Sequence, residues 1–461
     1  MIDQIIQMTL NLDMPQMSVL EWIITLGKFA FVFIPLAFIV VMIFMERKGA
    51  SLIQDRLGPN RSALPVFGGL RFFGFVHNFT DGIKLFTKET FIPTYAHKVW
   101  YVVAPGIGFL VAFLTPAVIP WFAPLTWWTG DHISQVSGMI IDSDTGILLM
   151  FALSSLSIYG TAMSAWASNS KYALLGGMRA TAMMISYEVS MGLSLMGIFL
   201  LAGSFNLQHI VAWQEAHVWG IFVQPVAFFV FLTSMIAETG RAPFDVAESE
   251  SEIVAGYHLE YSAMRFGLFY MGEYAHIVIA SIIIATLFLG GYAIPFVSTD
   301  LLRAHVDIAL ALCLGGLGTM IGGFHLMVRR WKKVYATMGA KDAGTRNREY
   351  SFLQFTSGVA SPVVLALAVA VFFLLNPMAA TTVDGTPIFP AWVSIAAAAV
   401  QVVVLIAKAF LFCWIWIWVR WTLPRFRYDQ VMSLGWKILL NLALVNLVVT
   451  AIIAKLVTGV R

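Results

Sequence analysis

Long apolar segments alternate with short polar segments along almost the whole chain. The stretch "FAFVFIPLAFIVVMIFM" at positions 29–45 is typical, because it contains no charged residue and approaches the length that a helix needs to cross a bilayer. We predict ten membrane-spanning helices, at about 22–46, 98–122, 146–166, 180–203, 218–238, 265–296, 305–328, 355–376, 391–420 and 435–457. The first twenty residues lack Lys, Arg and a small-residue cleavage site, so we do not predict a signal peptide.

The basic residues sort to one side of this predicted membrane topology. If the N-terminus lies outside, twenty-three Lys and Arg residues fall in the inner loops, three fall outside, and Lys28 and Lys408 fall within spans. Such a bias is typical of loops on the cytoplasmic or matrix side. A hydrophobic content of 59% and a mean hydropathy of +0.82 agree with a membrane protein, and the net charge of +3 does not indicate a nucleic-acid partner. We therefore predict an all-α, polytopic membrane protein with its N-terminus outside.

The first inner loop, at 47–97, contains an amphipathic pattern. Its segment "RFFGFVHNFTDGIKLFTKET" has apolar residues at helical spacing and polar residues in the gaps. This pattern predicts a helix that lies along the membrane surface. Packing accounts for most aromatic stripes, but an apolar groove at this interface would also suit a lipid-soluble ligand that enters from the bilayer.

Carboxylates are concentrated in the inner loop between the fifth and sixth predicted spans, "AETGRAPFDVAESESEIVAGYH". This acidic junction places Arg241 among four acids, which are Asp245, Glu248, Glu250 and Glu252. Acids outnumber bases here, unlike in the other inner loops. Apolar residues such as Phe244 are interleaved with the charges, so an ordinary solvated loop is a poor explanation for the pattern.

Four further acids lie within or at the ends of spans. Glu188 and Glu273 are about two turns inside the fourth and sixth spans, and Glu46 and Glu238 close the first and fifth. An acid at mid-helix costs roughly 3 kcal/mol on insertion scales, so it usually faces a polar interior or a water path. We predict a proton-handling role for this set, with Glu188 and Glu273 as a pair at similar depth. For Glu46 and Glu238, helix capping or pairing with a nearby arginine is an alternative.

The sequence offers no pattern for a bound metal or redox cofactor. Cys313 and Cys413 are far apart inside apolar spans, which excludes a cysteine-ligated cluster held by this chain. His276 and His325 also fall inside spans, and a bis-histidine haem would require them to face each other across helices. Phosphate-loop, dinucleotide and HExxH motifs are missing.

Five sequence blocks together resemble one family. They are "ERKGASLIQDRLGPN", "DGIKLFTKE", "AWASNSKYALLGGMRATAMMISYEV", "AETGRAPFDVAESESEIVAGYHLEY" with the following "MGEY", and "RWTLPRFRYDQVMSLGWK". The chain resembles the H-subunit family of proton-pumping NADH:quinone oxidoreductase, respiratory complex I, to which the first mitochondrially encoded subunit belongs.

The resemblance implies a role for each matching residue. Quinone would be the substrate, ubiquinone or menaquinone. Arg47, Arg56 and Asp81 would line the mouth or floor of a quinone chamber. Arg241, Phe244 and Asp245 would lie on the loop below the quinone headgroup. The proton path would comprise Glu46, Glu188, Glu238, Glu248, Glu250, Glu252 and Glu273.

The resemblance also implies the setting of the chain. FMN and the iron–sulfur clusters would lie in partner subunits, among them the soluble quinone-site and iron–sulfur subunits. Other membrane subunits of the proton-pumping arm would be neighbours in the bilayer. The expected location is the bacterial inner membrane rather than the mitochondrial one, and the chain would act only as part of the multisubunit enzyme.

Several features depart from the family pattern. The family usually has Asn at Gly240, Gln at Met183 and Gln at His77. It also has eight spans, so we divide the chain into a membrane domain at 1–300, an inserted hairpin at 301–385 and the last two spans at 386–461. The hairpin's inner loop is basic and is expected to contact lipid headgroups or a partner.

Two other classes of protein remain alternatives. A secondary transporter would also bury acids at mid-membrane, but it should show an internal repeat with broken helices in matching positions. A structural anchor for a soluble partner would need the inner loops without Glu188 or Glu273. Within the resembled family, a relative that uses another electron donor also stays open, because membrane-bound hydrogenases share some of the motifs.

Overall fold

The computed structural model describes residues 19–56, 58–59, 62, 74–128, 133–247, 250–337, 343–374, 381–383 and 386–457. Within this part of the chain, nine helical segments are long and apolar enough to cross a membrane. They are Leu20–Ser51, Lys98–Val118, Gly146–Ala167, Lys171–Ala202, Ala263–Phe288, Val306–Lys333, Tyr350–Phe373, Ala391–Thr422 and Tyr428–Leu456. The prediction of an all-α, polytopic membrane protein is confirmed.

Helices make up most of the described chain. In chain order they are α1 (Val19–Lys28), α2 (Ile34–Ile53), α3 (Val76–Thr87), α4 (Lys98–Leu114), α5 (Gly146–Ala167), α6 (Lys171–Ala202), α7 (Leu207–Ala216), α8 (Gly220–Val223), α9 (Pro225–Glu238), α10 (Glu250–Ile253), α11 (Ala263–Phe288), α12 (Thr299–Ala304), α13 (Val306–Thr337), α14 (Ala343–Leu374), α15 (Ala391–Thr422), α16 (Tyr428–Ser433) and α17 (Leu440–Val457). Short 3₁₀ segments occupy Phe29–Phe33, Thr115–Val118 and Gly256–His258, and a π-helical segment occupies Leu434–Leu439. Two antiparallel hairpins complete the described structure: β1 (Leu125–Trp128) with β2 (Ile133–Val136), and β3 (Thr381–Val383) with β4 (Thr386–Ile388).

The fifth predicted span differs from the prediction because it is broken at Gln224. The one-turn helix α8 ends there, and α9 then has 14 residues, or about 21 Å, which is less than the roughly 30 Å of a bilayer core. Pro225 disfavours a helical conformation in the residue before it. The buried Gln224 amide instead donates to Thr450 Oγ1 at 2.7 Å and accepts from Asn446 at 2.7 Å. These bonds anchor the break inside the protein.

Helix α11 lies at the centre of the packing. Its most apolar stretch is 83% buried, the highest value among the nine long helices of the described chain. It packs against α2, α4 and α15, and the main apolar core around it includes Tyr187, Phe231 and Phe288. Polar side chains on α11 are therefore held away from lipid and close to several other helices.

Within the segment 301–385, predicted to be an inserted hairpin, α13 and α14 pack along each other at the edge of the protein. Only 11% of the most apolar stretch of each helix is buried. Ser361 Oγ donates to the Gly318 carbonyl at 2.9 Å, and His325 Nδ1 lies 3.2 Å from Ser357 Oγ, so the two helices are joined by polar contacts. The hairpin itself begins at Val306, since Arg303 on α12 is buried against the rest of the protein.

Two lysines that the sequence places inside spans are satisfied by backbone carbonyls. Lys28 donates to Ser137 and Met139, and Lys408 donates to the carbonyls of Leu289, Gly291 and Ala293 beyond the end of α11. A cation near a helix C-terminus also interacts favourably with the helix dipole. Each lysine therefore fixes a loop segment against a helix.

The amphipathic helix predicted in the first inner loop is α3. Asn78 Nδ2 donates to the Val40 carbonyl of α2 at 2.7 Å, which attaches α3 to the first span. Phe79, Ile83 and Phe86 are 58%, 63% and 74% exposed, so an apolar face is available along this helix. Phe72, from the same predicted stripe, lies outside the described residues.

Candidate functional site

A buried group of charged residues lies where α2, α11 and α15 meet the acidic junction. Glu46 on α2 accepts a hydrogen bond from Tyr274 Oη at 2.6 Å and a short contact from Arg420 at the end of α15. Arg241 Nη1 lies 3.8 Å from the same carboxylate. The side chains of Arg241 and Glu46 are only 6% and 9% exposed. Removing Arg241 and Glu46 from water is costly, and the further contacts that each of them makes offset that cost.

Arg241 connects this group to Glu273 on α11. Its Nη2 lies 3.0 Å from Glu273 Oε2, and its guanidinium lies over the Tyr274 ring at 4.5 Å from the centroid. Tyr257 Oη donates to Glu273 Oε1 at 3.2 Å. We call the set Glu46, Arg241, Tyr257, Glu273, Tyr274 and Arg420 the buried charge cluster. One arginine thus bridges two of the acids that the sequence singled out.

The chain turns sharply to bring Arg241 inward. Helix α9 ends at Glu238, and Gly240 adopts φ +63°, a conformation that glycine and, next best, asparagine adopt without much strain. Among the described residues other than Gly240 and its two chain neighbours, none has a heavy atom within 4 Å of where a Cβ at Gly240 would stand. The asparagine that is usual in the family would therefore fit this backbone, and the departure at Gly240 leaves the turn intact.

Two of the residues that the resemblance assigns to the mouth of the chamber, Arg47 and Asp81, form a second, more exposed group. Arg47 Nη1 lies 2.5 Å from Asp81 Oδ2 across α2 and α3, and the two side chains are 43% and 38% exposed. His77 accepts a hydrogen bond from the Ser62 backbone N–H at 3.1 Å. Burial lowers the pKa of His77, Asp81 opposes this effect, and Arg47 adds to it. Arg56 is exposed just beyond the end of α2 and belongs to neither group.

The junction is tied to the connection between α15 and α16. Arg425 Nη2 lies 2.8 Å from Asp245 Oδ2, and the Phe426 N–H donates to the Pro243 carbonyl at 3.0 Å. Burial raises the pKa of Asp245 above its ordinary value, and the Arg425 guanidinium opposes that shift. Phe244 is 3% exposed and packs against Tyr187 and Phe426, with ring centroids 5.5 Å away in each case. This burial anchors the loop and leaves Phe244 little surface for a ligand.

The last acids of the junction are only partly described. Glu252 lies 2.6 Å from Arg179 of α6, and this pair is exposed, at 42% and 31%. Glu248 lies outside the described residues. Glu250 begins α10, and the placement of its side chain is likewise outside the description. Among these acids, Glu252 alone can be assigned a contact.

Glu188 and Glu273, which the sequence predicts as a pair at similar depth, have different hydrogen-bond partners. Glu188 accepts a short hydrogen bond from Ser155 of α5. It lies close enough to Glu238 for the two carboxylates to interact electrostatically. Glu238 and Glu273 both line a cavity of about 60 Å³ open to water-sized molecules, which is room for a few waters. Met183 also lines this cavity, so the family's glutamine would have made its wall more polar.

Four residues that make contacts in the site are not predicted from the sequence. Arg420 and Arg425 lie in the block "RWTLPRFRYDQ", which contributes to the resemblance without indicating a role for either arginine. Tyr257 and Tyr274 flank recognised acids, but a tyrosine near a glutamate in sequence is too common to indicate a contact. The feature of the sequence that could have indicated the two arginines is the excess of basic residues in this last inner loop.

The described residues contain no group of three or more His, Cys, Asp and Glu side chains that could hold a metal ion. Cys313 and Cys413 are free thiols, and Cys413 contacts Ser281 Oγ at 3.4 Å inside the core. His276 and His325 lie on α11 and on the peripheral hairpin. The residues present therefore offer no metal centre in this part of the chain.

Fold and site together define a class: a polytopic helical membrane protein with buried ion pairs that join its long helices to the loop after α9. The sequence matches the NADH dehydrogenase family over residues 27–340 and 343–451. The chain belongs to this family, which confirms the resemblance found in the sequence blocks.

Similar proteins come from several bacteria. The NADH-quinone oxidoreductase H subunit of Flavobacterium psychrophilum is 35% identical over 88% of this chain and 90% of its own length. The corresponding H 1 subunit of Geobacter metallireducens is 37% identical over 95% and 98%. NADH-quinone oxidoreductase subunit 8 of Rhodothermus marinus is 34% identical over 89% and 91%.

Proposed function

We propose that this chain is the membrane subunit of a proton-pumping NADH:quinone oxidoreductase that forms the membrane part of the quinone chamber and the start of the proton path. The names of its relatives support the enzyme complex. The observation that carries the finer assignment is the buried charge cluster, in which Arg241 joins Glu46 to Glu273 next to a cavity that Glu238 and Glu273 line.

The proposed route has three parts. Quinone enters beside α3, where Arg47 and Asp81 line the mouth, with Arg56 further out. The headgroup stands above the junction, near Asp245 and Arg425. Reduction of a quinone takes up two protons with its two electrons, so it changes the charge that the junction acids meet.

The buried charge cluster responds to that change because its charges are poorly screened. The Arg241 guanidinium stabilises the ionised form of whichever carboxylate lies closer to it, Glu46 or Glu273. A movement of the guanidinium from one to the other therefore changes which carboxylate holds a proton. Protons then move through the cavity beside Glu273 to Glu238 and Glu188. Glu248, Glu250 and Glu252 would supply protons or sense the headgroup at the inner surface.

The partners follow from the same reading. FMN and the iron–sulfur clusters belong to other subunits, and soluble subunits with the quinone site cover the junction from the cytoplasm. The other membrane subunits of the pumping arm receive the protons or the conformational signal. In this proposal the complex lies in the bacterial inner membrane, where the basic inner end of the hairpin contacts anionic headgroups.

The test compares Glu273→Gln and Glu188→Gln with Glu215→Gln. Glu215 is a matched control, since it is a partly buried carboxylate on the outer side that accepts hydrogen bonds from Thr299. In membrane vesicles, the first two variants should lower quinone-dependent NADH oxidation and proton pumping at least tenfold, and the control should stay near the parental rate. NADH oxidation with a hydrophilic acceptor should persist in all three.

Aspartate at either position should keep partial activity, because water can bridge its shorter reach. If both glutamine variants assemble normally and pump at the parental rate, the proton-path assignment is wrong. Equal loss of the hydrophilic-acceptor activity would mean that the variants fail to assemble.

A further inference from the structure

Two cavities follow each other along the centre of the protein. The first is the 60 Å³ cavity beside Glu273, and the second, of about 40 Å³, lies next to it. Along α4 and the 3₁₀ segment that continues it, Pro105 and Gly108 line the first cavity, and Val111 and Thr115 line the second. Since α4 starts at the inner side, the second cavity lies about two turns further into the membrane. Each cavity is large enough to hold water.

The other helices around the cavities give the same order. On α11, which also starts at the inner side, Gly272 and Glu273 line the first cavity, and Ile279 and Ile283 line the second. Apart from the residues that it shares with the first cavity, the second cavity is lined mainly by apolar side chains. A proton that reaches Glu273 therefore needs a polar group at the boundary to continue outward.

Three described residues line both cavities: Glu238, Thr239 and His276. Thr239 Oγ1 already donates to the Ile236 carbonyl at 2.9 Å and accepts from the Trp416 indole N–H at 3.1 Å. Its hydroxyl is committed to these partners. The two titratable groups at the boundary are Glu238 and His276.

Both groups have a buried atom without a hydrogen-bond partner among the described residues, Glu238 Oε2 and His276 Nε2. A buried polar atom left unpaired is unusual and requires an explanation, such as an ordered water or a role in catalysis. Both atoms belong to residues that line spaces of the right size for water. The arrangement is therefore suited to accept and release protons.

We propose that His276 carries protons between the two cavities, as an added step of the proton path proposed above. A neutral imidazole has one N–H and one bare nitrogen. A proton from the first cavity binds the bare nitrogen, and the proton on the other nitrogen leaves to water or Glu238 at the second cavity. Reorientation of the ring restores the starting tautomer. One proton crosses the boundary and no electron moves.

The first test is His276→Gln in the assembled complex, with His276→Asn as a smaller second variant. The control is His325→Gln, a histidine inside a hairpin helix that contacts Ser357. Both His276 variants should lower proton pumping and quinone-dependent NADH oxidation at least fivefold, with hydrophilic-acceptor activity unchanged. A parental rate and pumping ratio in an assembled His276 variant would overturn the proposal, as would parallel loss of the hydrophilic-acceptor activity in both variants.

A second measurement separates proton transfer from a role in shape. His276→Ala opens space between the cavities, so added imidazole should restore its quinone reductase activity severalfold. If imidazole restores nothing, the histidine acts through its shape and the proposal fails. Glu273→Gln is measured in parallel. If it loses activity and the His276 variants do not, only the histidine step is refuted and the proposed function stands.

Discussion

Replacing Arg241 with glutamine tests whether the buried charge cluster holds the junction in place. The substitution keeps a polar side chain and removes the charge that lies 3.0 Å from Glu273 and 3.8 Å from Glu46. At an effective dielectric constant near 20, the closer pair interacts by roughly 5 kcal/mol before desolvation is subtracted. Removing one partner of a buried pair costs about 3–5 kcal/mol in measured cases.

Glu46 keeps Arg420 and Tyr274 after the change, so most of the loss falls on Glu273. The matched control is Arg425→Gln. Its pair with Asp245 is just as close, at 2.8 Å, but the Arg425 side chain is 40% exposed. Exposed pairs contribute about 0–1 kcal/mol, and this pair, in which Asp245 is 16% exposed, should cost more than that but less than the more deeply buried Arg241 pair. A difference of 3 kcal/mol corresponds to roughly a hundredfold in an equilibrium population.

The assay heats detergent-solubilised complex and measures how much of the chain stays with it. Arg241→Gln should dissociate several degrees below the parent, and Arg425→Gln should stay closer to the parent. The double variant, Arg241→Gln with Glu273→Gln, should lose less stability than the sum of the two single losses, because it leaves no carboxylate at position 273 without its cation. Equal dissociation temperatures for the two arginine variants, or simple additivity in the double variant, would refute the reasoning.

Two further predictions concern packing. Phe244→Ala should cost about 3–5 kcal/mol and lower the amount of assembled complex, whereas Phe86→Ala, at a 74% exposed position, should not. A deletion that begins after Val306 and ends before Phe389 should leave assembly and quinone reduction largely intact. A deletion that begins at position 301 also removes Arg303, which donates to the Pro124 carbonyl, and it should therefore lower assembly. Equal yields of assembled complex from the two deletions would contradict a hairpin boundary at Val306.

The positions of most spans could be predicted from the sequence because insertion into a bilayer depends on local composition. Apolar runs and basic inner loops depend on neighbouring residues alone, and so does the 3.6-residue pattern that predicted α3. The break at Gln224 was missed for the opposite reason. It depends on a buried amide that bonds Asn446 and Thr450, more than two hundred residues away.

The candidate acids were also predicted from the sequence, since a carboxylate inside an apolar run is costly wherever it points. Which acids meet was decided only by the tertiary structure. Glu46 and Tyr274 are separated by 228 positions, and Glu46 and Arg420 by 374. Their contacts depend on how the helices rotate and pack around α11, and no local pattern specifies that rotation. For the same reason, His276 looked like an isolated polar residue until the packed helices placed it between two cavities.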